Sequence, residues 1–335
     1  MKTTRICLLG LLLVLAYACT PDVPDPVAQE LEPDPVPSYP LNPVNDDDET
    51  GGGDNPGPSG EVSIYKDNNG DVAYIPAQFR VSDVKDEQTI RTGLVVIGPD
   101  GSEYVWVPTA KTELKMREFG SYFGGVGSLS SYRDETTLPA YQAMAKSVAT
   151  YGGFYIGRYE ATYFADDGNR TPVSKRHTSN DGLWMTVQYS PQDATENCAK
   201  LYAGNSTVQG FFVWGANWDT TLQWLVDSGC KTYADVASNS TPWGNYSDDS
   251  FSPNANGNFT GVWEQARANN IYDLAGNNWE WTQERYGDNY VMRSGGYNLM
   301  GGACPGNRYP AAIRDPLPGN DHHPNACIRV GLHLK

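Results

Sequence analysis

Histidine is scarce in this chain, limited to His177, His322, His323 and His333. None stands at the H-x-x-x-H or H-E-x-x-H spacing that sets two imidazoles on one helix face, which excludes a helix-borne zinc centre. His322 and His323 are adjacent, and neighbouring side chains in an extended loop diverge, so they make a poor metal pair. Cysteine is also sparse, six in all and none at C-x-x-C spacing, which argues against structural zinc. No Gly-rich phosphate loop follows a strand and opens a helix. No apolar run reaches the roughly 18 residues a transmembrane helix needs, and no internal repeat of fixed period is present. Basic charge is outnumbered too, 24 Lys and Arg against 40 Asp and Glu. Residues 20–61 contain eleven acids and no Lys or Arg. Of the formal net charge of −16, that tail carries −11 and Lys2 and Arg5 add +2, leaving −7 for residues 62–335. A body of that sign without a Lys/Arg cluster is unsuited to nucleic acid, whose phosphates must be neutralised.

What is present begins with a targeting segment. Lys2 and Arg5 precede an apolar run from Ile6 to Leu15, and Ala16-Tyr17-Ala18-Cys19 closes it. Residues 1–18 read as a signal peptide. Small residues before a cysteine resemble a bacterial lipobox, with Ala16 where Leu is usual. The expectation is a lipoprotein acylated on Cys19, the alternative an ordinary cleaved signal. Residues 19–61, crowded with Pro, Gly and Asp, bury too little to offset ordering entropy and read as an extended acidic tether. This places the protein in a bacterial cell envelope, as a surface-exposed outer-membrane lipoprotein.

Residues 62–112 alternate and turn like antiparallel sheet. Leu94-Val95-Val96-Ile97 and Tyr104-Val105-Trp106-Val107 flank Gly98-Pro99-Asp100-Gly101, which predicts a hairpin because Pro presets φ and Gly accepts positive φ. Beyond it, Tyr141, Met144, Val148 and Tyr151 fall at helical spacing over 139–151, stopped by Gly152-Gly153. A second helix is predicted after Ser190, with Pro191 in the first turn and Asp193 favouring the dipole. A third is predicted from Asp219 to near Gly229, burying Leu222, Leu225 and Val226. Cys198, Cys230, Cys304 and Cys327 remain after processing. In an oxidising compartment they permit three pairings, of which Cys198–Cys230 and Cys304–Cys327 are preferred because each lies within one part of the chain.

The most informative stretch is Asn269–Gly296. Trp279 and Trp281 stand two apart, so a strand would turn both to one face and Glu280 to the other, just after a Gly276-Asn277 turn. The series Ile271-Tyr272-Asp273-Leu274-Ala275-Gly276-Asn277, Trp279-Glu280-Trp281-Thr282 and Arg293-Ser294-Gly295-Gly296-Tyr297 resembles the signature of the sulfatase-modifying factor family, whose best-known member is the formylglycine-generating enzyme. Gly152–Glu160 resembles that domain's opening strand, and Ile328-Arg329-Val330-Gly331-Leu332 its closing strand. The resemblance covers about Tyr104 to Lys335. It implies an α+β, C-type lectin-like fold with much irregular backbone over residues 113–335, with helices bracing the domain from outside.

The resemblance also implies an oxidase, in which two thiols four residues apart after the Gly-Gly step bind copper and engage substrate. Here the first thiol position falls at Met300 and only Cys304 lies near the second. A thioether cannot become a thiolate, so oxidase activity and copper are not expected. The alternative is a family enzyme acting on exported sulfatases and using Cys304 differently. Related sulfoxide synthases hold iron with histidines from an extra helical domain that is missing here. Asn277 and Glu280 match positions where relatives bind a structural calcium, which takes about six to eight oxygen ligands. Equally, Asn277 shapes the turn and Glu280 pairs with an Arg.

Between Gly296 and Ile328 the chain is rich in Asn, Asp, Tyr, His, Arg, Gly and Pro. Such loops suit recognition, since Tyr gives rigid amphipathic area and Asn and Asp give adaptable hydrogen bonds. They resemble the variable C-terminal region of retroelement-diversified proteins. Tyr297, Asn298, Asn307, Arg308, Tyr309, Asp315, Asn320, Asp321, His322, His323 and Asn325 are the candidate contacts. The expectation is a non-catalytic module binding an extracellular protein or glycan, with a purely structural envelope component as a third reading.

Overall fold

The computed structural model describes residues 60–109, 114–122, 127–178, 180–187, 189–246, 259–297, 309–319 and 323–335. The signal, most of the tether with Cys19, and Met300, Cys304, Asn298, Asn307, Arg308, Asn320, Asp321 and His322 lie outside them.

The described body mixes helices with sheets that are antiparallel but for one parallel pair, Trp279–Tyr286 with Ala326–Ile328, so it is compatible with α+β. A hairpin of β1 (Ser63–Lys66) and β2 (Val72–Ile75) opens it, followed by β3 (Arg80–Val81), β4 (Val95–Ile97) and β5 (Glu103–Pro108). After β6 (Tyr132–Arg133) come α1 (Pro139–Tyr151), β7 (Gly153–Gly157), β8 (Thr162–Phe164), β9 (Leu183–Met185), α2 (Pro191–Lys200) and β10 (Val208–Phe212). Then α3 (Gly215–Asp227), α4 (Tyr233–Ala237), β11 (Arg267–Ala268) and β12 (Ile271–Tyr272) lead to β13 (Trp279–Tyr286). The chain ends with β14 (Asn289–Arg293), β15 (Asp315–Leu317), β16 (Ala326–Ile328) and β17 (Val330–Leu334).

The larger sheet has the order β10-β17-β7-β5-β4-β3. The expected hairpin forms with Val95 opposite Val105. Strands on both sides of position 112 thus share one sheet, β5 pairing β7 along its length. Its strands are apolar on both faces, and period-2 alternation divides them between two cores. Tyr104, Trp106, Tyr155 and Leu332 pack on one side. Val105, Val107, Phe154 and Ile156 pack on the other, with Met144 and Val148 of α1 and Trp218, Leu222 and Leu225 of α3.

Local signals set the helix ends. α1 starts on Pro139, which loses no helical hydrogen bond in the first turn, and stops at Gly152 with φ +74. Ser190 and Asp193 form a reciprocal capping box at α2. α3 departs from expectation. It begins one turn earlier, at Gly215, and Asp219 lies in its interior. The reason is tertiary: the carboxyl of Asp134 accepts from the Gly215 and Ala216 N–H groups at 2.9 and 2.8 Å and so caps the helix from a distant segment. Nor does α3 brace from outside, since every residue from Gly215 to Leu222 is buried.

The expected Cys198–Cys230 disulfide is absent, and both thiols are free. Cys198 of α2 sits in the first core and Cys230, past α3, packs against the second, so the fold separates them. Cys327 is likewise a free, buried thiol.

Candidate ligand-binding surface

The second sheet runs β15-β14-β13-β16. Gly276 and Asn277 enter β13 with φ of +71 and +61. At Gly276 a Cβ would lie 2.2 Å from the Asn245 carbonyl oxygen, so only glycine permits this approach. Backbone bonds clasp the turn: Gly276 N–H donates to Ser294 O (2.9 Å), Asn277 N–H to Asn245 O (2.8 Å), and Tyr297 N–H to Asn277 O (2.8 Å).

This clasp gathers part of the candidate set. Tyr297 is fixed by its bond to the turn, and Tyr309 meets Trp279 edge-on with ring centroids 5.7 Å apart. The Asn325 carbonyl accepts from Trp279 N–H at 2.9 Å, and the Asn325 N–H reaches His323 Nδ1 at 3.3 Å. Tyr297, Tyr309, His323 and Asn325 are half-buried. Asp315 lies on the opposite edge strand, facing Met292 of β14, and its charge acts on the Tyr309 phenol. Asp315 is buried, which pushes its carboxyl up to about 6. Three strand spacings separate β15 from β16, roughly 14 Å. Asp315 is thus remote from His323 and Asn325 across the sheet but close enough to Tyr309 for its charge to add to burial in raising that phenol, so the described candidates fall into neighbouring groups along the sheet.

Trp279 and Trp281 face the first core, as their spacing predicts. On the other face of β13 the reading in which Glu280 pairs with an Arg is the one that forms, with Arg329 as its partner. Glu280 is not left beside the turn at the surface: it is fully buried, and both its oxygens accept from Arg329, Oε2 from Nε at 2.9 Å and Oε1 from Nη2 at 2.5 Å. Glu160, from the segment after β7, accepts from Asn278 N–H (2.9 Å) and Nδ2 (2.8 Å) and from Asn277 Nδ2. Burial, then the charges of Asp273 and Glu280, push the Glu160 carboxyl well above its ordinary range. Three buried carboxyls, Glu160, Asp273 and Glu280, thus gather near the Arg329 guanidinium.

A second ionic cluster lies behind the same strands. Arg293 binds Asp219 Oδ1 at 2.6 Å and Glu284 Oε2 at 2.7 Å. Arg314 takes Glu284 Oε1 at 2.5 Å and the remaining oxygen of Asp219. All four side chains have zero exposure. Sequence reasoning missed this quartet. A signal existed, since Arg293, Arg314 and Arg329 each end an apolar run (Val291-Met292, Ala311-Ala312-Ile313, Cys327-Ile328). A cation in such a run needs a buried acid.

Among the described residues no group of three or more His, Cys, Asp or Glu is arranged around a common metal position. Asn277 Oδ1 accepts from Asn245 Nδ2 at 2.9 Å, so a calcium ion there would share oxygens with Asn245 and Arg329. His177 pairs with Asp181 at 2.9 Å, and His333 is buried beside Phe211. Burial raises the Cys327 thiol well above its usual range, which suppresses the thiolate and with it nucleophilic or redox work.

No protein-family description matches this chain, and no curated protein matches it in sequence. Among solved structures it is similar to Treponema denticola variable protein 1, at 13% identity, over 81% of this chain and 99% of that one, with a TM-score of 0.27. A superposition that loose fixes neither fold nor role.

Proposed function

We propose that this protein is a non-catalytic ligand-binding module, held at the envelope surface by acyl chains on Cys19, which grips an extracellular protein or glycan through its C-terminal loops. In this reading the stretch from Tyr104 to Lys335 carries a formylglycine-generating-enzyme-like, C-type lectin-like domain whose larger sheet is extended by strands from residues 62–112. The observation that carries it is the contrast between loop and support. Tyr297, Tyr309 and Asn325 attach to a turn and sheet whose hidden face is locked by buried ion pairs. A rigid support under adaptable polar and aromatic loops lowers the ordering cost of binding. A structural calcium at Asn277 and Glu280 belongs to the same proposal, because a cation there would offset the excess of carboxyls over guanidinium.

The test is a glycan and protein binding screen with the full chain, run with calcium and with chelator. A ligand whose affinity falls at least about tenfold in Tyr297→Ala or Tyr309→Ala, both still folded, is the expected result. Copper-loaded protein converting a cysteine peptide to formylglycine would overturn it. A thermal midpoint unmoved by chelation would remove the calcium.

A further inference from the structure

A cleft of about 520 Å³ opens elsewhere on the body, between the segment after β3 and the turn joining β11 to β12. The volume falls within the roughly 300–1,000 Å³ of small-ligand sites. Its lining does not follow their usual apolar pattern. All ten side chains around it are polar, and none belongs to the 297–325 window.

The wall is braced from behind. Asn269 and Asn270 hold left-handed φ values of +43 and +62. Asn269 Nδ2 donates to Ser228 Oγ at 2.9 Å, and Asn270 Nδ2 donates to Gly93 O at 2.7 Å and Asp86 O at 3.1 Å. Arg267 Nη1 donates to Asn270 Oδ1 at 2.8 Å, while its Nε pairs with Glu264 at 3.0 Å. In front of this wall the side chains of Asn68, Lys85, Asp86, Thr89 and Thr92 line the cleft. Among the described residues they meet no hydrogen-bonding partner. The cleft therefore offers a carboxamide, two hydroxyls, an ammonium and a carboxylate, all unengaged, on a fixed backing.

That chemistry selects a class of ligand. An apolar molecule would desolvate these groups without replacing their hydrogen bonds. Lys85 and Arg267 balance Asp86 and Glu264, so a phosphate or sulfate gains no net attraction and meets two carboxylates. A lone divalent cation would find one unengaged carboxylate, far short of the oxygen shell it needs. A neutral molecule dense in hydroxyls, each both donor and acceptor, satisfies every group present. We propose that this cleft binds a neutral saccharide, at a site separate from the C-terminal loops.

The experiment titrates the full chain with cellobiose, maltose and N,N′-diacetylchitobiose, alongside a sulfated disaccharide, and follows backbone amide shifts. Expected is saturable binding of at least one neutral sugar, with shifts confined to 67–69, 85–92 and 264–270. Thr92→Trp, which fills the cleft from an exposed position, should weaken it at least about tenfold, and so should the double variant Lys85→Ala/Asp86→Ala, which serves if the first misfolds. Tyr309→Ala should leave it unchanged, which separates this site from the loops. No saturable shift with any of the three sugars, shifts mapping elsewhere, undiminished affinity in a folded cleft variant, or tighter binding of the sulfated sugar would each overturn the proposal.

Discussion

Replacing Asp219 by Asn removes one charge from the buried quartet while keeping the side chain's shape. The Asp219 carboxylate accepts from Arg293 at 2.6 Å, from Arg314, and from Arg117 N–H at 2.8 Å. An amide has one acceptor oxygen, so its NH₂ must face one of these donors, and two guanidiniums are left sharing Glu284 at zero exposure. Breaking a buried pair from one side costs about 3–5 kcal/mol, because the stranded charge cannot recover its water. At about 2–4 °C per kcal/mol for a domain this large, the thermal midpoint should drop by about 6–20 °C. Urea unfolding followed by tryptophan fluorescence reads the free energy directly, since the chain carries nine Trp. Adding Arg314→Met restores charge balance and should recover at least about 1 kcal/mol in a double-mutant cycle. A loss below about 1 kcal/mol for Asp219→Asn, or strict additivity with Arg314→Met, would refute the claim that these four charges act as one buried unit.

Gly276→Ala should cost at least about 2 kcal/mol, since its Cβ would meet Asn245 O at 2.2 Å and φ is +71; a denaturation midpoint within error of wild type would contradict the clasp. Asp315 carries a carboxyl raised to about 6 by burial. The folded state then holds that proton while the unfolded chain has lost it between about pH 4 and 6, so stability falls as pH rises through that window. The fall should be shallower by up to about 3 kcal/mol in Asp315→Asn, measured by urea titration at each pH. Of the three described thiols, half-buried Cys230 should react first with a thiol reagent in native protein, and Cys198 and Cys327 only on unfolding. A thermal midpoint lowered by reductant would point instead to a disulfide.

The sequence carried much of the local architecture by itself. Pro139 and Gly152 bound α1, the Ser190–Asp193 box starts α2, and Pro99 with Gly101 turns the β4–β5 hairpin, because these signals act within a few residues and need no partner. The Trp279/Trp281 spacing likewise set which face enters the first core. For the other face the sequence offered a Glu280–Arg pair, but neither which Arg nor that the pair would be fully buried. The alternation W-E-W-T reads as half-exposed, yet Glu280 and Thr282 are fully buried, because Arg329, 49 residues on in the chain, pairs with Glu280 and the Thr282 hydroxyl donates to Val291 O at 2.8 Å. The start of α3 was decided in the same manner by Asp134, and the separation of Cys198 from Cys230 by the two cores. Side-chain period and turn chemistry are properties of a short peptide. The pairing of buried charges exists only once distant strands and helices have closed around them.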